Sequence, residues 1–255
     1  MENMLLVGLS RQMALSRQLD VVANNIANLN TNGFKADGSI FEEFLMPVAR
    51  ETQFRQSDGR LSFVNDRGIW HDLAPGNNQQ TGNPLDVAID GNGFFVVQTP
   101  AGERYTRNGA FQIDSTGQLV SANGMPVLGE SGPIVFQPTD RDIAISKDGR
   151  VSVREGANKT TESFRGKIRL VNFERPQALQ KDGANNFLAP ASMTPQPAAG
   201  ASLAQGVIEK SNVNGMLEMT RLIELTRTYT QVSSMLQQQS DLRRSSILQL
   251  ADVPS

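Results

Sequence analysis

The side chains of this 255-residue chain that could do chemistry are few and poorly placed for it. His71 is the single histidine, set between Trp70 and Asp72, and an imidazole beside a carboxylate could act as a general base. Neighbouring strand residues point to opposite faces, so His71 and Asp72 make a dyad only where a loop folds them together. Asp86, Asp90, Asn92 and Asp114 offer the oxygen donors that suit Ca2+, but the spacing of an EF-hand loop is missing and each is also a good turn former. Gly91 and Gly93 precede Phe94 rather than a helix, which excludes a dinucleotide or phosphate loop. Glu42-Glu43 and the Asp140/Asp142 pair read better as solvated faces than as glycosidase carboxylates. Asn158-Lys159-Thr160 matches a glycosylation acceptor, a pattern of little specificity. The absence of cysteine removes disulfides and thiol chemistry, and one histidine cannot supply a metal site that needs two. The expectation is a chain with no catalytic residues, no metal and no cofactor.

Composition narrows the partners. Lys+Arg 24 against Asp+Glu 26 gives a net charge of -2 with no long run of either sign, so nucleic acid is not the expected partner. Hydrophobic residues at 38% and charged residues at 20% place the chain among globular proteins. No apolar run approaches the roughly 20 residues of a membrane-spanning helix, so direct membrane insertion is not expected. The opening Met1 to Arg11 lacks a basic n-region and its apolar stretch is short, so no cleaved secretory signal is expected either.

The elements that would position any site fall into three textures. Leu15, Leu19, Val22, Ile26 and Leu29 recur at alternating spacings of four and three, one stripe of a heptad, with Arg17, Gln18, Asp20, Asn24, Asn25 and Asn28 between them. Asn28 to Gly33 then reads as a helix stop. At the other end, Asn212 to Gly215 can start a helix, and Leu222, Leu225, Tyr229, Val232 and Leu236 form a second stripe within a predicted helix over Met216–Leu250. Stripes this narrow have the width of a coiled-coil seam and need a partner helix. The two can pair with each other as an antiparallel hairpin, or can also pack against other copies. The outer residues Gln231, Gln237, Gln238, Gln239, Ser240, Arg243 and Arg244 suit adaptable polar contacts between subunits.

Between the helices, turn signals such as Asp90-Gly91, Asn108-Gly109, Asn123-Gly124 and Asp148-Gly149 separate short β-prone runs, among them Phe94-Phe95-Val96-Val97 and Ile143-Ala144-Ile145. Lys167 to Phe173 alternates and reads as one half-buried strand. The expected fold is therefore α+β: a discontinuous terminal α-helical coiled-coil domain flanking a central antiparallel β domain. The expected divisions are an N-terminal helix over 1–33, an extended connector with a short helix or hairpin over 34–80, a β-rich domain over 81–188, a return linker over 189–211, and a C-terminal helix over 212–255.

Three strings add a resemblance. Asp20-Val21-Val22-Ala23-Asn24-Asn25-Ile26-Ala27-Asn28-Leu29-Asn30-Thr31-Asn32-Gly33-Phe34-Lys35 resembles the N-terminal signature of bacterial flagellar axial proteins, the rod and hook family. Thr81-Gly82-Asn83-Pro84-Leu85-Asp86-Val87-Ala88-Ile89-Asp90-Gly91-Asn92-Gly93-Phe94-Phe95 and the strings onward to Gly129 are similar to the family's β-domain signature. Gln205 to Asn214, followed by Glu218-Met219-Thr220-Arg221-Leu222-Ile223-Glu224, is similar to its C-terminal motif. The opening Met1 to Ala14 and the block Phe41 to Pro47 are most like the proximal-rod type of the family, with the distal-rod type as the alternative.

The resemblance implies a structural, non-enzymatic subunit of the basal-body rod in the periplasm. It implies proximal and distal rod proteins as partners in a helical hetero-oligomer. It also implies export by the flagellar type III apparatus with the N-terminus uncleaved. The candidate assembly interface is then Leu15, Leu19, Val22, Asn25, Ile26, Leu29, Leu222, Leu225, Tyr229, Val232 and Leu236. Two other classes compete. A wall-cleaving enzyme would need a placed acid with a nucleophile or base, and no part of the chain beyond the three motifs is left to supply it. A secreted β-domain adhesin would not need heptads at both ends.

Overall fold

A computed structural model of the chain describes residues 2–46, 61–155 and 161–251; Pro47, Phe54 and the Asn158 to Thr160 pattern lie outside the described residues. Two compact units are present, and the chain passes between them more than once.

The first unit comprises Met1–Ala27, Asp37–His71 and Asn214–Ser255. It holds helix α1 (Glu2–Ala27), strands β1 (Asp37–Met46) and β2 (Leu61–His71), and helix α2 (Gly215–Ala251). Asn214 begins α2 by accepting a hydrogen bond on its side-chain oxygen from the Leu217 amide at 3.2 Å, and Glu218 places negative charge in the first turn. The two helices run antiparallel: Gly8 lies against Leu236, and the Gln12 amide donates to the Tyr229 hydroxyl at 3.1 Å. Where a connector was expected over 34–80, β1 and β2 form a long hairpin from Asp37↔His71 to Met46↔Leu61, with a bulge between Ile40 and Phe41. A two-stranded ribbon is marginal alone in water, and here both strands pack on α1.

The second unit comprises Asn28–Ala36 and Asp72–Val213, and its regular structure among the described residues is antiparallel β apart from a 3-10 turn at Pro176–Ala178. Its strands are β3 (Asn78–Gln80), β4 (Val87–Asp90), β5 (Phe94–Thr99), β6 (Gly102–Thr106), β7 (Phe111–Ile113), β8 (Leu119–Ser121), β9 (Leu128–Gly129) and β10 (Gly132–Pro133). Then follow β11 (Asp140–Ile145), β12 (Arg150–Glu155), β13 (Thr161–Lys167), β14 (Leu170–Asn172), β15 (Gln180–Lys181), β16 (Phe187–Leu188), β17 (Gln196–Pro197), β18 (Ser202–Gln205) and β19 (Val207–Glu209). The main sheet has the order β15-β16-β6-β5-β14-β17, beside a three-stranded sheet β11-β12-β13 and four two-stranded pairs.

β5 explains why the apolar run Phe94 to Val97 does not alternate. Phe95 and Val97 enter one core with Val87, Phe111, Leu119 and Val127, while Phe94 and Val96 enter another with Tyr105, Val171, Phe173 and Phe187. A strand buried on both faces carries apolar residues at every position.

Two segments differ from expectation. Lys167 to Phe173 is not one strand: β13 pairs with β12 and ends at Lys167, and β14 pairs with β5 and β17. The chain changes sheets at Ile168–Arg169, so the buried residues shift phase, falling at Ile168 and then at Val171 and Phe173. Segment 189–211, expected as a return linker, contributes β17, β18 and β19, with β18 on β4 and β19 on β3. Its prolines and small residues disguised strands that are completed only by distant partners.

Candidate functional site

The α1–α2 pair is the place where the sequence put its candidate residues. Leu15, Val22 and Asn25 on α1 and Val232 on α2 are buried, while Leu19, Ile26, Leu222, Leu225, Tyr229 and Leu236 are half-buried. Val22 and Leu225 line one groove, and Leu236 and Tyr229 meet Gly8 and Gln12. The stripes therefore face each other within one chain. Leu29 is separate from them, because α1 ends at Ala27 and Leu29 belongs to the turn that follows.

Asn25 has a defined task. Only 2% exposed, its side chain mimics a strand edge: Oδ1 accepts from the Asp37 amide at 2.9 Å and Nδ2 donates to the Asp37 carbonyl at 2.9 Å. Nδ2 also reaches Glu218 Oε2 on α2 at 3.4 Å, so one amide holds α1, β1 and α2 together. Glu218 in turn accepts from Arg221 at 2.8 Å. A buried amide with its donors and acceptor used is favourable, whereas an unused one would be costly.

The side chains considered for chemistry are occupied elsewhere. His71 Nδ1 bonds Asp37 Oδ1 at 2.6 Å, with both side chains largely withdrawn from solvent, and so closes the first rung of the β1–β2 hairpin. Asp72 Oδ1 instead accepts from the Ala74 amide at 3.0 Å, so the adjacent His71-Asp72 pair is not a dyad. Asp114 caps its own turn: the Thr116 hydroxyl and the Gln118 amide hold its carboxyl below the usual carboxylate range. Asp86 accepts from Asn83 at 3.1 Å, and Asp90 and Asn92 stand exposed at the β4–β5 turn. Asp140 is gripped by two hydrogen bonds from Arg165, at 2.7 and 2.6 Å.

The heptad reading missed a second apolar face. On α1, Leu6, Leu9 and Met13 are exposed, Met13 to 66%. On α2, Met216, Met219, Ile223, Met235, Leu242 and Leu248 are exposed, Met216 to 83%. At about 100° per residue Leu6, Leu9 and Met13 lie on the side of α1 away from its stripe and Met216, Ile223 and Leu248 do so on α2, with Met219 on one flank of α2 and Met235 and Leu242 on the other. The signal was present in the spacing Leu6, Leu9, Met13 and Met216, Met219, Ile223, which repeats the three-four rhythm out of phase with the first stripe.

The comparisons with known proteins agree with these elements. Residues 5–35 match the flagella basal body rod protein model, residues 88–153 the flagellar hook protein FlgE/F/G D1 domain, and residues 204–250 the flagellar basal body rod FlgEFG protein C-terminal model. The basal-body rod protein FlgF of Caulobacter vibrioides is 40% identical over 256 residues, covering 99% of this chain and 100% of the relative. FlgF of Mesorhizobium japonicum is 37% identical, covering 93% of each chain. FlgG of Caulobacter vibrioides is 32% identical, covering 92% of this chain and 97% of the relative.

Proposed function

The chain belongs to the flagellar basal-body rod protein family, and from that premise we propose that it is a structural, non-enzymatic subunit of the proximal rod. The observation that carries the reading is end-to-end similarity to FlgF, 40% identical in Caulobacter vibrioides against 32% for FlgG of the same organism.

In this reading α1 and α2, within the terminal segments 1–33 and 212–255, belong to the rod-core domain, and the β-rich unit over Asp72–Val213 is the second part of the subunit. α1 and α2 act as a short antiparallel coiled coil. The seam residues Leu15, Leu19, Val22 and Ile26, with Leu222, Leu225, Tyr229, Val232 and Leu236, stiffen the pair, and Asn25 fixes its base. The outward residues, Met13 and Ile223 among them, meet neighbouring proximal and distal rod proteins in a helical hetero-oligomer. Their exposure supports this, since burying apolar area is the dominant favourable term in association. Export through the flagellar type III apparatus with an uncleaved N-terminus belongs to the same reading.

The test is deletion followed by isolation of basal bodies. Growth should stop before the distal rod, with later axial proteins absent. A full distal rod and hook in the deletion strain would overturn the proximal placement. An abundance equal to that of the distal rod's main component would favour the G-type alternative.

A further inference from the structure

We propose that the outward face of the β11-β12-β13 sheet binds a carboxylated glycan, with a sugar ring against Phe164 and its carboxylate between Arg141 and Arg154. Through the rod reading, on which the proposal rests, the chain stands in the periplasm and the glycan is that of the cell wall.

β12 alternates cleanly. Val151 and Val153 are buried in the core, while Arg150 and Arg154 are exposed and Ser152 between them is half-buried. Residues opposite each other on paired strands share a face, so the register sets out the rows of the outward side. One row is Arg141, Arg154 and Glu162, and the next is Ala144, Ser152 and Phe164. Beyond it the Arg150 guanidinium lies over the Phe164 ring, 5.1 Å from its centroid, and Phe164 is still 56% exposed. Two small side chains ending at a raised aromatic ring make a shelf.

The charges beside the shelf are unbalanced. Arg141 and Arg154 stand directly opposite, their Cβ atoms about 5 Å apart, and like charges so placed are destabilising. Arg141 donates only to the Pro138 and Asp140 carbonyls, at 3.3 and 3.1 Å, and Arg154 makes no hydrogen bond or ion pair among the described residues. Glu162 ends the row without pairing with Arg154, and the nearby Lys167 is already taken by Glu130 at 2.8 Å. A carboxylate held between the two guanidiniums would replace their repulsion by charge-assisted hydrogen bonds. Residues two apart on a strand are roughly 7 Å apart, so one sugar can lie on the shelf and reach the arginines with its own carboxylate. The C–H face of the sugar packs on the electron-rich ring, and the Ser152 hydroxyl, unused among the described residues, is open to a sugar hydroxyl. An acidic peptide would satisfy the arginines but has no use for the shelf.

The test is co-sedimentation of the purified full-length chain with isolated peptidoglycan sacculi. The folded parent should bind, and amidating the sacculus carboxyls should weaken binding about tenfold or more. Arg141→Glu should weaken it as much while leaving the urea midpoint unchanged or higher, because a like-charged pair becomes an opposite one. Phe164→Ala should weaken it severalfold with the β signal in circular dichroism retained. No binding by the folded parent, equal binding to amidated sacculi, or no effect of Phe164→Ala would each overturn the proposal. Poly-L-glutamate that competes as well as soluble cell-wall glycan would give the face to an acidic protein instead, and would overturn it too. The assay uses the isolated chain, so a failure of the rod reading, seen as basal bodies that never contain the chain, is a separate result.

Discussion

Lys35 Nζ and Glu209 Oε1 meet at 2.5 Å with both side chains sealed from solvent, although 174 positions separate them. Lys35 also donates to the Ala74 carbonyl at 2.7 Å, and the Gly76 amide donates to the same Glu209 oxygen at 2.9 Å. Arg107 lies 3.5 Å from the other carboxylate oxygen. Burial pushes the Lys35 ammonium down from its ordinary pKa, and the Glu209 charge opposes that shift. Four distant stretches of the β-rich unit, at Lys35, Ala74 to Gly76, Arg107 and Glu209, are thus held at one point.

Removing Glu209 strands the buried Lys35 ammonium and takes the carboxylate away from Arg107 as well. Glu209→Leu should therefore lower stability by about 3–5 kcal/mol. Lys35→Met with Glu209→Leu should cost less than the sum of the single changes, because Lys35 is no longer stranded and Arg107 keeps its Ile89 and Gly91 carbonyl partners. Urea denaturation of the full chain, followed through the β-rich unit, measures both. Additive losses would show that the pair is not coupled.

Gly109 offers a sharper steric test. A Cβ there would sit 1.7 Å from the Val87 carbonyl oxygen, at the point where the Val87 amide donates to Gly109 at 2.9 Å. At Gly124, φ is +76° but the space around an added Cβ is open. Gly124→Ala should cost only the left-handed strain, about 1–2 kcal/mol. Gly109→Ala must displace backbone and should cost severalfold more. Equal melting temperatures for the two variants would contradict the close approach.

The helices were legible because periodicity is local: two stripes at three-four spacing and an Asn/Gly stop placed α1 and α2 within a few residues of Glu2–Ala27 and Gly215–Ala251. The β-rich middle was legible through its turns. What stayed hidden depended on remote partners. β18 and β19 look like linker until β4 and β3 are beside them, and Lys167 to Phe173 looks like one strand because its sheet change leaves no turn residue. At the candidate site, Leu15 and Val232 could be found by pattern, but the bonding of Asn25 to the Asp37 backbone could not. The outward face escaped notice because a heptad search stops at the first stripe that fits.

The Asp140–Arg165 pair makes the acid limb of stability testable. Arg165 holds the Asp140 carboxyl below its ordinary range through two hydrogen bonds. Above the unfolded value of about 3.9 the carboxylate is ionised in both states and the stabilisation is complete. As pH falls through that value the unfolded chain takes up the proton first, so stability declines until the folded group protonates as well. Asp140→Asn should lower the urea midpoint at pH 7 and flatten its fall between about pH 5 and 2. Parallel curves for variant and parent would rule the coupling out.

The two faces of the terminal helices should fail differently when a charge is introduced. Val232 is 9% exposed in the seam, so Val232→Asp buries a carboxylate without a partner and should separate α1 from α2. Ile26→Asp and Leu225→Asp should act in the same sense but less strongly, since both sites are half-buried. Met13→Asp and Ile223→Asp change side chains that face solvent in the isolated chain, 66% and 55% exposed, and should leave its helical content within error of the parent. In cells the distinction should disappear. Both classes should block rod assembly, the first because the pair no longer forms and the second because the surface offered to neighbours now carries a charge that burial would desolvate. Circular dichroism of the purified variants, set beside motility of the strains that carry them, separates the cases. A Met13→Asp strain that swims as well as the parent would remove the outward face from the assembly. A Val232→Asp chain with undiminished helix would show that the seam is not what holds α1 and α2 together.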